Sequence, residues 1–230
     1  ETLGSTTVIC SDKTGTLTEN QMTVKKIFAG DAFYDVEGNG YAPEGHLLRD
    51  GKEFNGKLSP VLTQTLTAGL LCNDSRLIQE EDQWRIEGDP TEGALITVAG
   101  KAGMTPETAR AERPRLDEIP FESERQFMAT LHSAKDGPNI IYIKGAVEKI
   151  LDFCADGMDG AGGKTLLNHG NLLGRVDALA QEGLRVLALA CKEIDKKNLD
   201  VEDCLSGLTF LGLQGMIDPP RTEAIAAVTS

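Results

Sequence analysis

The order of apolar and polar residues along the chain predicts a mixture of strands and helices. Residues 6–10 form a short β-branched run that predicts a buried strand delivering Asp12 at its carboxyl end. Further strands are predicted at residues 23–28, 84–87, 127–133, 140–144, 185–191 and 208–217. Helical spacing of apolar residues predicts helices at residues 58–72, 90–102, 146–154, 172–180 and 222–228.

The arrangement of these elements indicates two kinds of domain. Strands mixed with helix pairs, with a hairpin signal at Asp136-Gly137, predict an α+β domain with an antiparallel sheet. Residues 37–56 and 156–163 are expected to be surface loops. The chain begins with a strand and ends with a strand followed by a proline-led helix. We therefore expect residues 1–21 and 218–230 to be two pieces of an α/β domain, with residues 22–217 inserted between them.

Composition limits the ligands that the chain can take. Its 36 acidic and 23 basic residues give a formal net charge of −13, which repels nucleic acids and anionic lipid surfaces. An anionic ligand would need locally placed basic groups or a metal ion. The five cysteines are scattered, which indicates core residues in a reducing compartment rather than a zinc site. With no signal peptide and no apolar run of about 20 residues, the piece is expected to be soluble.

The sharpest motif is the segment DKTGTLT at residues 12–18. A carboxylate at the end of a buried strand can attack a phosphoryl group and form an acyl phosphate. Lys13 can neutralise charge, Gly15 lets the backbone approach a phosphate, and Thr14 can hold phosphate oxygens. A turn stabilised by side-chain hydrogen bonds is the alternative explanation for such a short string.

The longer string at residues 11–22 resembles the phosphorylation signature of P-type ATPases, and LT-x-NQM is typical of their animal-type cation pumps. The resemblance implies that Asp12 is transiently phosphorylated by ATP, with Lys13 and Thr14 beside it and Mg²⁺ near Asp12 and Thr14. It also implies a haloacid-dehalogenase-like, Rossmann-type phosphorylation domain, which is incomplete here. Phosphatases of that superfamily usually carry a second Asp where this chain has Thr14, so Thr14 favours a pump over a phosphatase.

Two further segments resemble the adenine end of that family's ATP site. The segment EGDPTEGAL at residues 87–95 implies that Glu92 lies near the adenine amino group, although an N-cap at Asp89 with Glu92 completing a capping box would also explain both carboxylates. The segment PFESERQFM at residues 120–128 implies that Phe121 stacks on adenine. A core phenylalanine at a strand end is the alternative. Gln126 stands where the family usually has Lys, which puts the ATP affinity in doubt.

The remaining motifs complete the implied site. The segment YIKGAVE at residues 142–148 matches the family's KGA signature and implies that Lys144 and Gly145 line the ATP site, where the glycine lets the purine approach the backbone. The segment GLRVLA at residues 183–188 implies that Arg185 contacts the phosphates. Asp218, in a segment that resembles the family's hinge, is expected to shape that hinge, and a position facing the nucleotide is the alternative. Residues 163–165 imitate the end of a P-loop, but Met158 stands where its first glycine belongs.

These resemblances, in the family's order, cover essentially the whole chain. They imply an ATP-binding piece of a P-type cation-transporting ATPase at the cytoplasmic face of a membrane, with the pump's transmembrane and actuator domains as partners. Calcium is the expected transported ion, and this piece would not bind it. We expect ATP binding with negligible ATPase activity, because later phosphorylation motifs would lie beyond Ser230. The alternatives are a stand-alone ATP-binding regulatory module and a haloacid-dehalogenase-like phosphatase.

Overall fold

The computed structural model describes residues 12–81, 83–135 and 137–229. The predicted strand at residues 6–10 and Asp136 of the predicted turn lie outside this part. The strands are β1 Thr23–Ala29, β2 Ala32–Val36, β3 Leu47–Arg49, β4 Lys52–Glu53, β5 Arg76–Glu80, β6 Gln83–Glu87, β7 Arg115–Glu122, β8 Phe127–His132, β9 Asn139–Gly145, β10 Cys154–Met158, β11 Lys164–Thr165, β12 Arg185–Ile194 and β13 Leu208–Ile217. The helices are α1 Pro60–Leu71, α2 Pro90–Lys101, α3 Pro106–Glu112, α4 Val147–Phe153, α5 His169–Gln181, α6 Val201–Cys204 and α7 Thr222–Thr229.

One large sheet organises the domain. Its strands lie in the order β4-β3-β2-β1-β13-β12-β9-β8-β7, and neighbours in this order run antiparallel. The strand β10 pairs in parallel with the start of β13 and antiparallel with β11. A separate hairpin of β5 and β6 connects α1 to α2. This mainly antiparallel sheet with helices confirms the α+β prediction.

Two apolar cores lie on the two faces of the sheet. One core contains side chains of α1 and α2, and the other contains side chains of α4 and α5. Strand β9 shows the alternation that makes this possible, because Tyr142 belongs to the first core while Ile141 and Ile143 belong to the second. Lys144 continues the row of Tyr142, so a buried charged residue ends an otherwise apolar row.

Helix starts follow the expected chemistry. The side chain of Ser59 accepts a hydrogen bond from the Leu62 amide and caps α1, which begins with Pro60. Asp89 caps α2 in the same way. These caps fix where the two long helices of the first core begin, and so they fix which residues each helix turns toward the sheet.

The predicted helices and strands within the described residues are present, with shifted ends. Two predicted loops were wrong. The stretch 37–56 contains β3 and β4, and the stretch 156–163 begins inside β10. Neither stretch carries the extended apolar alternation of a half-buried strand, and these short strands form because neighbouring strands offer backbone hydrogen bonds. Residues Lys164–Thr165 form a short strand, which agrees with rejecting a P-loop.

The first and last described segments meet. The backbone N–H of Glu19 donates to the Pro219 carbonyl at 2.9 Å, and Thr18 forms an isolated bridge with Pro220. The guanidinium of Arg221 donates from Nε to the Thr18 carbonyl at 3.0 Å. No helix in the described part of the chain is both long and apolar enough to cross a membrane.

Candidate functional site

Lys144 and Glu92 form a nearly enclosed ion pair. The Nζ of Lys144 lies 2.6 Å from Oε1 of Glu92, and their side chains are 9% and 13% exposed. The same amine donates to the carbonyl of Cys72, the residue after α1, at 2.5 Å. A buried ammonium without such partners would be strongly destabilising, so this pair accounts for a lysine at the end of an apolar row.

Glu92 lies in the first turn of α2, where the Asp89 carboxylate accepts its backbone N–H at 3.1 Å. The N-cap predicted at Asp89 is therefore confirmed. The Glu92 carboxylate binds the turn after α1 rather than completing a capping box. Its Oε2 accepts from the backbone N–H of Asp74 at 2.9 Å and of Ser75 at 3.1 Å, and the Ser75 hydroxyl lies 3.0 Å away.

The electrostatic environment keeps Glu92 ionised. Burial raises the pKa of its carboxyl group. The Lys144 ammonium and the donors at Asp74 and Ser75 outweigh this effect and hold the pKa below its ordinary value of 4.5. Glu92 therefore meets Lys144 as a carboxylate at neutral pH.

Gly145 and Gln126 meet through the backbone beside Lys144. A Cβ at Gly145 would come within 2.4 Å of the Gln126 carbonyl oxygen, so strands β8 and β9 can approach this closely only at a glycine. The same oxygen accepts from the Ala146 amide at 3.0 Å. Gln126 has a φ of 60°, in the left-handed region. Packing is therefore a reason for Gly145, independent of any purine.

Phe121 is exposed at the end of β7. Its relative exposure is 56%, so the alternative of a core phenylalanine is wrong. It lies on the β7–β8 hairpin that also carries Gln126. An exposed aromatic ring offers an apolar face to a ligand.

Arg185 lies on a different part of the surface from Lys144. It begins β12 opposite Met216, whereas Leu189 of the same strand lies opposite Lys144. At about 3.3 Å per residue, the four-residue offset along β12 is ~13 Å. Arg185 instead lines an open cleft of about 950 Å³ together with Asp89 and Asp218.

The start of α2 belongs to both surfaces. Asp89 and Thr91 line the cleft, while Glu92 holds Lys144. The described lining of the cleft does not include Phe121 or Lys144. The structure thus places the sequence-predicted residues in two groups that are joined by one helical turn.

Asp12 is exposed at the first described position, before a helical turn at Lys13–Leu17. The side chains of Lys13 and Thr14 lie outside the described part. Mg²⁺ takes six oxygen ligands, and within the described ranges no three His, Cys, Asp or Glu side chains converge. Asp12 offers one carboxylate, so the described residues do not make a magnesium site by themselves.

The residues that hold Glu92 were not found in the sequence. Asn73 and Ser75, which lie next to Glu92 in the structure, are 1% and 0% exposed. Arg115, which donates to the carbonyls of Leu71 and Asn73, has no sequence signal either because it stands in a mixed polar stretch. The one available signal was that polar residues follow directly on the apolar run of α1.

Comparison with known proteins identifies the family. Residues 61–223 match the family described as P-type ATPase, cytoplasmic domain N. The chain is 50% identical over 99% of its length to the cation-transporting ATPase pma1 of Synechocystis, and it spans 26% of that protein. It is 43% identical over its full length to the probable cation-transporting ATPase F of Mycobacterium bovis, again spanning 26% of the relative.

A calcium-transporting ATPase of Bacillus subtilis is 35% identical over 99% of the chain, which covers 26% of that protein. The chain thus spans about a quarter of the length of these relatives. The family model, which covers most of the chain, includes the motif at residues 142–148. The relatives match over essentially the whole chain and so also cover the motif at residues 12–18. The chain belongs to the P-type ATPase family, and the matched region is the domain N of that family.

Proposed function

We propose that this chain is the ATP-binding part of a cation-transporting pump. Residues 22–217 are the nucleotide-binding domain, inserted into an incomplete haloacid-dehalogenase-like phosphorylation domain formed by residues 1–21 and 218–230. The observation that carries the proposal is the pairing of Lys144 with Glu92. The two residues are 52 positions apart in sequence, each was singled out by its own motif, and their charged atoms meet at 2.6 Å.

The adenine end of the nucleotide is assigned to the surface around Phe121 and Lys144. The exposed ring of Phe121 would stack on the base, a contact that contributes about 1–3 kcal/mol in nucleic-acid complexes. Oε2 of Glu92 already accepts from the backbone N–H groups of Asp74 and Ser75, whereas Oε1 accepts from Lys144. Oε1 therefore keeps a lone pair that can accept from the exocyclic amine.

The phosphate end is assigned to the cleft that contains Arg185. The first turn of α2 borders both this cleft and Lys144, so the triphosphate is assigned to the surface along that turn. In the full pump, a carboxylate oxygen of Asp12 would attack the γ-phosphorus, forming a new O–P bond. The bond from that phosphorus to the β–γ bridging oxygen would break, and ADP would leave with its electron pair.

The parent protein is proposed to move a cation across a membrane, with this part on the cytoplasmic side. Its partners would be the transmembrane and actuator domains of the same pump. Relatives named calcium-transporting ATPases support calcium as the ion. Membrane carboxylates outside this chain would select the ion, so the chain itself would bind ATP and not the cation.

The test is a titration of the chain with MgATP, followed by backbone amide NMR. Saturable shifts are expected around Glu92, Phe121 and Lys144. They should be lost in Lys144→Gln and weakened in Phe121→Ala. Leu166→Ala is the matched control for Phe121, because Leu166 is 95% exposed and far along the chain from the motifs. A cooperative thermal unfolding transition would show that Lys144→Gln still folds.

Two results would contradict the proposal. The first is a wild-type chain whose spectrum does not change at millimolar MgATP. The second is binding that survives in both Lys144→Gln and Phe121→Ala. Strong MgATP hydrolysis by this chain would contradict only the expectation of negligible turnover, and it would leave the binding site standing.

A further inference from the structure

Arg115 lies outside the motifs that define the candidate nucleotide site. It is the first residue of β7, where it pairs with His132 of β8. Its side chain is 28% exposed, so most of the guanidinium is packed against protein. Such a charged group needs several hydrogen-bond partners to be stable there.

The guanidinium binds the segment at residues 71–75, here named the 71–75 turn. Its Nη2 donates to the carbonyls of Leu71 at 3.1 Å and Asn73 at 2.6 Å. Its Nη1 donates to Oδ1 of Asp74 at 2.6 Å. Leu71 ends α1, so this cation also satisfies a carbonyl at the negative end of the helix.

Glu118 anchors the other side of the same group. Its Oε2 lies 2.5 Å from Nη1 of Arg115, three residues away on β7. The planar fork of arginine suits this arrangement because it offers several donors in fixed directions. A lysine ammonium could keep the charge but could not reach two carbonyls and two carboxylates in one plane.

The 71–75 turn holds Glu92 from the opposite side. The backbone amides of Asp74 and Ser75 donate to Oε2 of Glu92, and Nδ2 of Asn73 donates to the Glu92 carbonyl at 2.9 Å. The Cys72 carbonyl accepts from Lys144. One short turn is therefore bound by Arg115 on one side and by the Glu92–Lys144 pair on the other.

We propose that Arg115 is a positioning residue of the nucleotide site: it fixes the 71–75 turn, and the turn fixes Glu92 and Lys144. This inference rests on the proposed function for its consequence in binding. Arg115 acts through these residues and does not itself touch the nucleotide. Its hold on Glu92 can be measured without any ligand.

The first experiment uses the chain without nucleotide. In Arg115→Ala, the amide protons of Asp74 and Ser75 should exchange faster with solvent, because the turn loses its outer anchor. The pKa of the Glu92 carboxyl group, followed by carbon NMR, should rise toward its ordinary value as those donors move away. A variant that had only lost stability would show faster exchange throughout the domain, without a specific change at Glu92.

Arg115→Lys separates position from charge. It keeps the positive charge but not the fork, so amide exchange at Asp74 and Ser75 should remain fast. If lysine restored both the slow exchange and the low Glu92 pKa, the charge alone would explain the effect. The proposal that Arg115 acts by positioning the 71–75 turn would then be overturned. An unchanged turn in Arg115→Ala would overturn it as well.

The second experiment measures MgATP affinity. Arg115→Ala should bind about tenfold more weakly, a change of the size expected for one lost hydrogen bond. Arg85→Ala is the matched control, since Arg85 also pairs with a glutamate, Glu80, at 3.1 Å but lies on the β5–β6 hairpin. It should bind as the wild type does.

The two proposals fail in different ways. If the wild type binds MgATP, Lys144→Gln does not and Arg115→Ala binds normally, positioning is wrong and the proposed function stands. If the wild type does not bind, the proposed function is wrong, while amide exchange and the Glu92 pKa still decide whether Arg115 holds the turn.

Discussion

The hydroxyl of Thr18 donates to Oδ2 of Asp218 at 2.6 Å, across 200 residues of sequence. The other oxygen of the same carboxylate accepts from the backbone N–H of Gln21 at 3.2 Å. One carboxylate therefore ties together the two segments through which the chain enters and leaves the proposed nucleotide-binding domain. That Asp218 shapes a hinge stays a prediction.

Replacing Asp218 with alanine should weaken the contact between its segment and the segment that contains Thr18 and Gln21. Two hydrogen bonds to a charged group are lost, and we expect a destabilisation of about 1–3 kcal/mol. Hydrogen exchange at the Gln21 amide should accelerate more than exchange in the central strands. Asp177→Ala, at an exposed position of α5, is the control and should leave both quantities unchanged. Equally faster hydrogen exchange throughout the domain would contradict a local effect of the Asp218 hydrogen bonds.

The main elements could be predicted because their patterns arise from local burial. Strand β13 has nine of its ten residues buried, and its predicted bounds match the structure. Strand β7 was missed because its exposed edge carries alternating polar residues, so its sequence resembles a loop. Its pairing with β8 is a tertiary effect that no local pattern reports.

The candidate site likewise combines residues that local sequence identifies with contacts that depend on tertiary packing. Each motif marked Glu92 and Lys144 separately, yet their contact depends on how α2 packs against the end of β9. Helix capping was a sufficient local explanation for Asp89, and it is correct. Arg115 could not be found, because two of its partners are backbone carbonyls whose positions follow from the end of α1, and the Asp74 carboxylate lies 41 positions away in sequence.

The Glu92–Lys144 pair should make stability depend on pH. The pKa of Glu92 is lowered in the folded state, so its contribution is present above its ordinary value of 4.5. It is lost as pH falls through the lower folded value. Glu92→Gln should cost about 2–4 kcal/mol at neutral pH, since a mostly buried ammonium loses its carboxylate.

Urea unfolding between pH 7 and pH 3 checks this. The difference in unfolding free energy between wild type and Glu92→Gln should shrink toward acid pH. Glu80→Gln removes an exposed pair with Arg85 and should change stability by less than about 1 kcal/mol. A difference between wild type and Glu92→Gln that stayed constant with pH would show that the charge of Glu92 is not what stabilises Lys144.

Gln126→Lys should increase MgATP affinity. It places a positive charge beside the proposed ATP site, where the resemblance implies a lysine, and one added charge near the surface contributes up to about 1 kcal/mol, or ~fivefold. The backbone at φ 60° is equally unfavourable for glutamine and lysine, so stability should be nearly unchanged. The gain should shrink at high salt. Gln126→Met, which adds no charge, should show no gain, and a gain there would point to packing instead.

Gln214 is a buried polar residue whose replacement should stabilise the protein. It is fully buried on β13, and neither amide atom has a hydrogen-bond partner among the described residues. Its Nε2 faces Gly69 of α1 in an apolar layer with Leu95 and Leu189. Gln214→Met keeps the volume and removes the unpaired groups, so unfolding should require about 1–3 kcal/mol more. Gln214→Ala, which leaves a cavity, should instead destabilise. A Met variant that unfolds more easily than wild type would show that the amide has a partner that methionine cannot replace.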